Sequence, residues 1–394
     1  MFNISDRISS SVKEIAPSGI RKFFDIVAEM PDAISLGVGE PDFVTPWSIR
    51  DAAIKSIQKG YTQYTSNKGI IKLREEISQY SKEMYGLSYD AEDEILVTVG
   101  ASEAIDLTLR ALCGDGGEVL VPEPSYVSYR PCVTLAGGKP AVIPTNIEEG
   151  FIITSAALKK AITPKSKALI LPYPNNPTGA AMSLGQLLAI KDIIIANDLV
   201  VIADEIYAEL TYGERHVSIA SLDGMRERTV YISGFSKSFA MTGWRLGYIA
   251  GPSEFIAAVT KIHQYTIMCA PTASQYAALY ALKSGRADNY AAVAEMRESY
   301  DKRRKIMVNS FIGMGLECYE PKGAFYVFPS VKRLGLDGGE FAKRLLKEEK
   351  VAVVPGAAFG EYGKYNIRCC YATALKSLMT ALERIDAFIK RIKN

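Results

Sequence analysis

The chain has 394 residues, of which 48% are hydrophobic and 23% charged, as is usual for a globular protein with roughly two or three domains. The formal net charge is only +2, because 46 basic residues nearly balance 44 acidic ones. No overall charge therefore favours binding to nucleic acid or to an acidic membrane. The chain contains only two histidines, His216 and His263, which argues against a histidine-rich metal site. We expect no metal centre.

Cysteine usage predicts a reducing environment. The six cysteines form no C-x-x-C pair, and the neighbours Cys369 and Cys370 would point to opposite faces of a strand. The segment from Met1 to Ala16 lacks the apolar core of a signal peptide. The longest apolar runs have the length of strands, which is too short for a membrane span. We therefore predict a cytoplasmic protein.

Short apolar runs alternate with amphipathic segments through most of the chain. This alternation indicates βαβ units, with a largely parallel sheet that is covered on both faces. Seven strands are predicted, at residues 94–99, 118–121, 141–144, 168–173, 199–204, 229–233 and 246–250. Amphipathic helices are predicted between several of them, for example at 102–112, 184–197 and 253–263.

The pattern changes after about residue 285. A long helix is predicted over 287–314, and its basic cluster at 302–305 is interpreted as a solvated face. Shorter strands follow at 324–328, 351–354 and 366–371, and then a terminal helix at 373–392. We therefore predict an α/β protein with two domains. The large domain comprises residues 46–284, and a smaller α+β domain comprises residues 1–45 and 285–394.

The segment from 233 to 248, SGFSKSFAMTGWRLGY, is the most informative part of the chain. It follows a predicted strand, and ligands of such sheets bind beyond the carboxyl ends of the strands. Lys237 lies in this segment, and Arg245 follows eight positions later. Burial and the neighbouring cation should lower the pKa of the lysine. A neutral lysine is a nucleophile that can form a Schiff base.

Three other predicted strands also end in polar motifs. Asp204 follows an apolar run, where its carboxylate could serve as the partner of a pyridinium nitrogen. Gly100 leads into a helix whose free N–H groups can hold a phosphate. The turn at 175–179, NNPTG, holds amide donors in a fixed geometry. Each motif alone occurs by chance, but their shared position at strand ends predicts one site.

With these motifs in this order, the sequence resembles the fold-type I pyridoxal-phosphate enzymes of the class I and II aminotransferase family, in the branch of the bacterial aspartate aminotransferases. The resemblance covers nearly the whole chain and rests on GEPDF at 39–43, Tyr64, GAS at 100–102, Tyr126, NNPTG at 175–179, DEIY at 204–207, Ser236, Lys237, Arg245 and Arg368. It implies a mainly parallel seven-stranded sheet with helices on both faces. It also implies that the enzyme is a homodimer, with its active site at the subunit interface, and that it moves an amino group between an L-amino acid and a 2-oxo acid.

The resemblance further implies a role for each matching residue. Lys237 would form the Schiff base with pyridoxal phosphate and carry the proton, and Asp204 would pair with the pyridinium nitrogen. Arg368 would hold the substrate carboxylate. The expected cofactor-binding residues are Tyr64, Gly100, Ala101, Ser102, Tyr126, Asn176, Asp204, Ile206, Tyr207, Ser236, Lys237 and Arg245. The expected substrate-binding residues are Gly39, Tyr126, Asn176 and Arg368.

Tyr64 would reach the phosphate of the neighbouring subunit's cofactor. The contact between Ser236 and the phosphate stays open, because the hydroxyl that the family often carries three residues before the lysine is replaced here by Gly234. His216 lies in a predicted loop and is expected to be exposed or at a rim.

The N-terminal segment bears on the choice of substrate. Aspartate enzymes of this branch commonly carry a lysine just before a Pro-Ser pair, and Ala16 stands there in this chain. The segment at 18–24, SGIRKFF, more closely resembles the N-acetyl-diaminopimelate aminotransferases. Arg21 or Lys22 is one hypothetical source of the missing cation, whereas Ile20 or Phe24 would favour aromatic or bulky apolar side chains.

The specificity therefore stays open between aspartate, N-acetyl-diaminopimelate and aromatic amino acids, with glutamate and 2-oxoglutarate as the expected second pair. Two other functions also remain as alternatives. One is a pyridoxal-phosphate-dependent C–S β-lyase of the same fold type. The other is a non-catalytic, aminotransferase-like domain of a transcription regulator.

Overall fold

The computed structural model describes residues 2–17, 30, 32–114 and 116–393. The strands in this part of the chain are β1 Ile34–Ser35, β2 Ile95–Thr98, β3 Glu118–Glu123, β4 Lys139–Pro144, β5 Ser166–Leu171, β6 Val200–Asp204, β7 Thr229–Gly234, β8 Gly247–Ala250, β9 Tyr326–Val327, β10 Val351–Ala352, β11 Val354–Pro355 and β12 Ile367–Cys370.

The α-helices of the described residues are α1 Ser10–Glu14, α2 Trp47–Gln58, α3 Ile71–Tyr85, α4 Gly100–Leu112, α5 Tyr129–Leu135, α6 Ser155–Ala161, α7 Leu184–Ala196, α8 Ser253–Thr266, α9 Thr272–Ala287, α10 Ala291–Gly313, α11 Gly338–Glu349 and α12 Leu375–Lys393. Short 3₁₀ helices lie at Ile4–Arg7, Ile219–Ser221, Arg226–Arg228, Thr242–Trp244, Lys332–Leu334, Gly356–Phe359 and Glu361–Gly363.

The seven strands from β2 to β8 form one sheet in the order β2-β8-β7-β6-β5-β3-β4. Within it only β8 runs antiparallel to its neighbours. The mainly parallel, seven-stranded fold class is therefore confirmed. Because β8 runs in the opposite direction, its first residue lies at the edge where the parallel strands end. Motifs that precede β8 and motifs that follow the parallel strands thus meet at one edge.

Both faces of this sheet are covered by helices. Leu96, Ile170 and Ile202 belong to a buried cluster that includes side chains of α4 and α8. Their neighbours along the strands point the other way and pack against side chains of α2, α3, α7 and α9. Strands that are buried on both faces need continuous apolar runs, which explains why these segments read as apolar throughout rather than alternating.

A smaller unit is built from the last third of the chain. Strands β11, β12 and β9 form an antiparallel sheet, and β1 pairs in parallel with β10. Buried side chains of β9, β10 and β12 join those of α10, α11 and α12 in a separate core cluster. The predicted domain boundaries at residues 45 and 284 stay a prediction.

The helix predicted over 287–314 is wrong at its start. Helix α9 extends to Ala287, and α10 begins only at Ala291. Between them, Asn289 and Tyr290 have φ angles of 55° and 54°, which a continuous right-handed helix cannot contain. The chain therefore turns between the two helices.

The basic cluster on α10 is also only partly solvated. Lys305 is exposed, as the interpretation of a solvated face requires. The side chain of Arg304, however, is only 6% exposed and forms ion pairs with Asp301 and Glu320, each at 2.6 Å. The prediction of a solvated face is therefore wrong for Arg304. These two ion pairs offset part of the free energy that removing the guanidinium from water costs.

Candidate active site

A cavity of about 870 Å³ lies at the edge where the parallel strands end. Polar residues follow β3, β5, β6 and β7 there, as expected for a sheet whose parallel strands share one direction. Of the fourteen predicted site residues, twelve line this cavity: Gly39, Ala101, Ser102, Tyr126, Asn176, Asp204, Ile206, Tyr207, Ser236, Lys237, Arg245 and Arg368.

Lys237 lies in the loop after β7, and its amine points into the cavity. Its Nζ donates a hydrogen bond of 2.7 Å to the carbonyl of Gly39. The same nitrogen lies 5.7 Å from the ring centroid of Tyr207 and 5.6 Å from that of Phe325. Burial among these groups lowers the pKa of the lysine to about 8; Cys370 and Glu40 oppose this shift, and the charges of arginines add smaller contributions to it. A substantial fraction of the amine is therefore neutral near pH 8.

Asp204 is the last residue of β6 and is only 6% exposed. Its Oδ2 accepts a hydrogen bond of 2.7 Å from the hydroxyl of Tyr129, and the amide of Ile206 donates to Oδ1 at 3.4 Å. Burial raises the pKa of this carboxyl to about 6, although both hydrogen bonds favour the ionised form. A cationic N–H group placed next to this buried carboxyl would stabilise its ionised form.

Arg368 lies on β12 and is 3% exposed. Its two terminal nitrogens donate to the side-chain oxygen of Asn176 at 2.9 Å and to the carbonyl of Gly37 at 2.5 Å. Its guanidinium lies 4.5 Å from the ring centroid of Tyr326. The third nitrogen, Nε, is buried and has no hydrogen-bond partner among the described residues. A carboxylate is the natural partner for such a group.

The first turn of α4 and Arg245 meet in the lining of the cavity. Gly100 has a φ of +74°, and a Cβ added there would lie 2.7 Å from a terminal nitrogen of Arg245. The positive φ favours glycine here, and any side chain would push the guanidinium out of this position. The first amides of α4, including those of Ala101 and Ser102, have no acceptor within the helix. Together with the guanidinium they can hold an anion of the size of a phosphate.

Lining residues outside the predicted set include Tyr129 and Tyr326. Tyr129 bonds Asp204, and the hydroxyl of Tyr326 lies 2.9 Å from that of Tyr207. Sequence reasoning missed both, because neither lies in a recognisable motif. Tyr64 is not among the lining residues, and 79% of its surface is exposed.

His216 does not lie at a rim, so that prediction is wrong. Its side chain is 5% exposed, and its Nε2 lies 2.6 Å from a carboxylate oxygen of Glu205. The hydroxyl of Ser218 donates to the other oxygen at 2.7 Å. The hypothetical cations Arg21 and Lys22, with Ile20 and Phe24, lie outside the described residues.

The cavity fits the cofactor that the sequence resemblance implies. Its lining includes a primary amine of lowered pKa, a buried carboxylate of raised pKa and the start of a helix that can bind an anion. These three groups suit an aldehyde, a protonated ring nitrogen and a phosphate, respectively. The guanidinium of Arg368, which also lines the cavity, can bind a carboxylate at a separate position. An α/β sheet of this topology with such a cavity defines a fold-type I transferase.

Comparisons with known proteins agree with this class. The family model "Aminotransferase class I and II" matches residues 31–385. An aspartate aminotransferase of Pyrococcus abyssi is 46% identical, covering 99% of each chain. A Bacillus subtilis protein named "Probable N-acetyl-LL-diaminopimelate aminotransferase" is 41% identical over 97% of this chain and 95% of its own. The crystal structure of an aromatic aminotransferase from Pyrococcus horikoshii is 46% identical, with a TM-score of 0.90 over 94% of this chain and 99% of that one.

The chain therefore belongs to the class I and II aminotransferase family, and it is an aminotransferase. The comparisons favour neither the β-lyase nor the regulator domain. Within the described residues, no helix has both the length and the apolar character that crossing a membrane requires.

Proposed function

We propose that this aminotransferase uses pyridoxal 5'-phosphate, bound in the cavity at the strand ends. The observation that carries the proposal is the convergence of Lys237, Asp204 and Arg368 on one cavity. When bound, this cofactor supplies an electron sink that makes the α-hydrogen of an amino acid acidic. Asp204 holds the ring nitrogen in its protonated form, and the amides of α4 with Arg245 bind the phosphate. Tyr126 and Ile206 supply apolar surface for the ring.

Lys237 is both the attachment point and the proton carrier in this proposal. Its lowered pKa of about 8 leaves part of the amine neutral, so that it can act as a nucleophile and, once released, as a base. The Gly39 carbonyl holds Nζ in place at 2.7 Å. The amine can therefore remove a proton from one carbon and deliver it to another nearby.

Arg368 orients the substrate. Its contacts with Asn176 and the Gly37 carbonyl fix the guanidinium plane, and its positive charge at the cavity binds the α-carboxylate. Because the amino-acid and oxo-acid substrates share this carboxylate, one arginine serves both half-reactions. Positioning of this kind lowers the entropic part of the barrier.

The substrate is an L-amino acid of the aspartate, N-acetyl-diaminopimelate or aromatic type, with glutamate and 2-oxoglutarate as the second pair. Relatives that carry each of these three names support the range. The cations among the described lining residues are Lys237, Arg245 and Arg368, and each already has a role. A side-chain carboxylate would thus need a cation from elsewhere.

The active form is a homodimer in the cytoplasm. Tyr64 is 79% exposed on a single chain and Tyr265 is 88% exposed. Exposed aromatic side chains of this size are typical of interfaces. A hydrogen bond joins the segment that carries Tyr64 to the segment that carries Tyr265: the side-chain amide of Asn67 donates to the carbonyl of Met268 at 2.8 Å. Six free cysteines agree with a reducing compartment.

The test is covalent capture of the cofactor. Apoprotein incubated with pyridoxal phosphate should develop a visible absorption band, and borohydride reduction followed by peptide mass spectrometry should find the adduct on Lys237. The Lys237→Ala variant should lose band and adduct, whereas Lys159→Ala, at an exposed position on α6, should keep both. A wild-type protein that forms no adduct would overturn the proposal.

A further inference from the structure

The second histidine of the chain, His263, lies beside the start of α4 and is not among the residues that line the cavity. His263 belongs to α8, and its side chain is fully buried. Its Nδ1 lies 2.9 Å from Oε1 of Glu103 on α4. Its Nε2 is buried without a hydrogen-bond partner among the described residues. Since an ionised carboxylate only accepts hydrogen bonds, Nδ1 carries the proton.

Glu103 connects this histidine to the start of α4. Its other oxygen, Oε2, accepts a hydrogen bond of 2.5 Å from the amide of Val99. Val99 is the residue that links β2 to Gly100, the first residue of α4. The carboxylate therefore folds back over the turn, and each of its two oxygens is held by a donor.

This arrangement decides where the negative charge of Glu103 lies. The start of a helix attracts any anion, including a glutamate of its own first turns. A carboxylate free to rotate would compete with a bound phosphate for the same amides and would repel its charge. His263 and the Val99 amide hold the carboxylate on the turn. The amides of Ala101 and Ser102 are thereby left available.

We propose that His263 is a positioning residue for the phosphate end of the cofactor, acting through Glu103 and the turn at Val99. The inference rests on the proposed use of pyridoxal phosphate. It assigns His263 no contact with the cofactor. Its effect is to keep the amides of α4 and the guanidinium of Arg245 aimed at one anion.

The test compares two ligands that differ only in the phosphate. Dissociation constants of pyridoxal phosphate and of pyridoxal are measured on apoprotein of wild type and His263→Phe. Loss of a hydrogen bond to a charged group should weaken pyridoxal phosphate by about tenfold. Pyridoxal should be nearly unaffected. Inorganic phosphate should also bind the variant apoprotein more weakly, which needs no loaded enzyme.

Two conservative variants separate the hydrogen bond from packing. His263→Asn can place its amide donor near the position of Nδ1, and it should keep most of the wild-type preference for the phosphorylated ligand. His263→Gln places its donor farther along the side chain, and it should lose the preference as His263→Phe does. This pair keeps the test valid even if the phenylalanine variant fails to fold.

His216→Phe is the matched control, because His216 is also buried against a glutamate, at 2.6 Å. It should lower stability without changing the affinity ratio of the two ligands. An unchanged ratio in both His263→Phe and His263→Gln would overturn this inference alone. Failure of wild-type apoprotein to bind pyridoxal phosphate would instead overturn the proposed function.

Discussion

The hydroxyl of Tyr129, the first residue of α5, donates a hydrogen bond of 2.7 Å to the carboxylate of Asp204 at the end of β6. This bond opposes the effect of burial, which raises the pKa of Asp204 to about 6. Ionisation of Asp204 at neutral pH therefore depends partly on a tyrosine that no motif contains.

Replacing Tyr129 should make cofactor binding more sensitive to acid. In Tyr129→Phe the pKa of Asp204 should rise further, because the hydrogen bond that favours its ionised form is gone. We expect affinity for pyridoxal phosphate to fall by about tenfold or more at pH 6, and the midpoint of its pH dependence to move upward. Titration of apoprotein between pH 5 and 8 measures both. The control is Tyr212→Phe, which removes a buried hydroxyl bonded to the Ala324 carbonyl and should leave the midpoint unchanged. An unchanged midpoint in Tyr129→Phe would contradict the role of the bond between Tyr129 and Asp204.

Lys237 should reduce the stability of the apoprotein at neutral pH. The pKa of a lysine is about 10.4 in an unfolded chain, whereas that of Lys237 is lowered to about 8 by burial. The folded state therefore disfavours the charged amine below pH 8, and this penalty disappears as the pH rises from about 8 to about 10.4. We expect Lys237→Met to raise the free energy of unfolding at pH 7 by about 1–3 kcal/mol. The gain should shrink towards pH 10.

Chemical denaturation of the apoproteins at pH 7 and pH 10 measures this difference. Lys159→Met, at an exposed site, serves as the control and should show little change at either pH. A Lys237→Met variant with the same gain at both pH values would show that packing, rather than charge, is responsible.

Arg368 should not be replaceable by lysine. The guanidinium makes two directed hydrogen bonds and lies over the ring of Tyr326, and an ammonium cannot reproduce this fork. We expect Arg368→Lys to lower kcat/KM for amino acids by about 100-fold, mainly through KM, with cofactor content unchanged. Steady-state kinetics and cofactor absorbance separate the two effects. Arg391→Lys on the exposed side of α12 is the control; loss of cofactor with unchanged KM would contradict the assignment.

The dimer can be tested by mixing inactive chains. In a shared site, Lys237 comes from one subunit and Tyr64 from the other. Lys237→Ala and Tyr64→Ala chains, unfolded and refolded together, should then regain about a quarter of wild-type activity, because half of the dimers are mixed and each has one complete site. Each variant refolded alone is the control. Activity no higher than the average of the two controls would contradict a shared site.

The N-terminal segment should decide between acidic and aromatic substrates. If Arg21 or Lys22 binds a side-chain carboxylate, its replacement by alanine should lower kcat/KM for aspartate by about tenfold or more. The value for phenylalanine should hardly change. Half-reaction kinetics with both amino acids measure the ratio, and Lys13→Ala on α1 is the control. Equal losses for both substrates would exclude this role.

Local sequence determined the fold class and the place of the candidate site. The apolar runs of β2 to β8 give a buried, mainly parallel sheet, and the polar motifs that follow its parallel strands must then lie at one edge. Lys237, Asp204 and Gly100 could be found in this way because each is adjacent to its strand. Burial at that edge also predicts the direction of the lysine's pKa shift, although the structure makes burial, rather than Arg245, the main cause.

Only the tertiary structure decided which side chains hold these groups in place. Tyr129 and Asp204 are 75 positions apart, and His263 and Glu103 are 160 apart. The carbonyl on Lys237 belongs to Gly39, while the one on Arg368 belongs to Gly37. Such contacts depend on how helices dock on the sheet, and no local pattern encodes that. The only two histidines of the sequence, His216 and His263, both lie against glutamates inside the fold, where each can give a carboxylate the hydrogen-bond donor that burial requires.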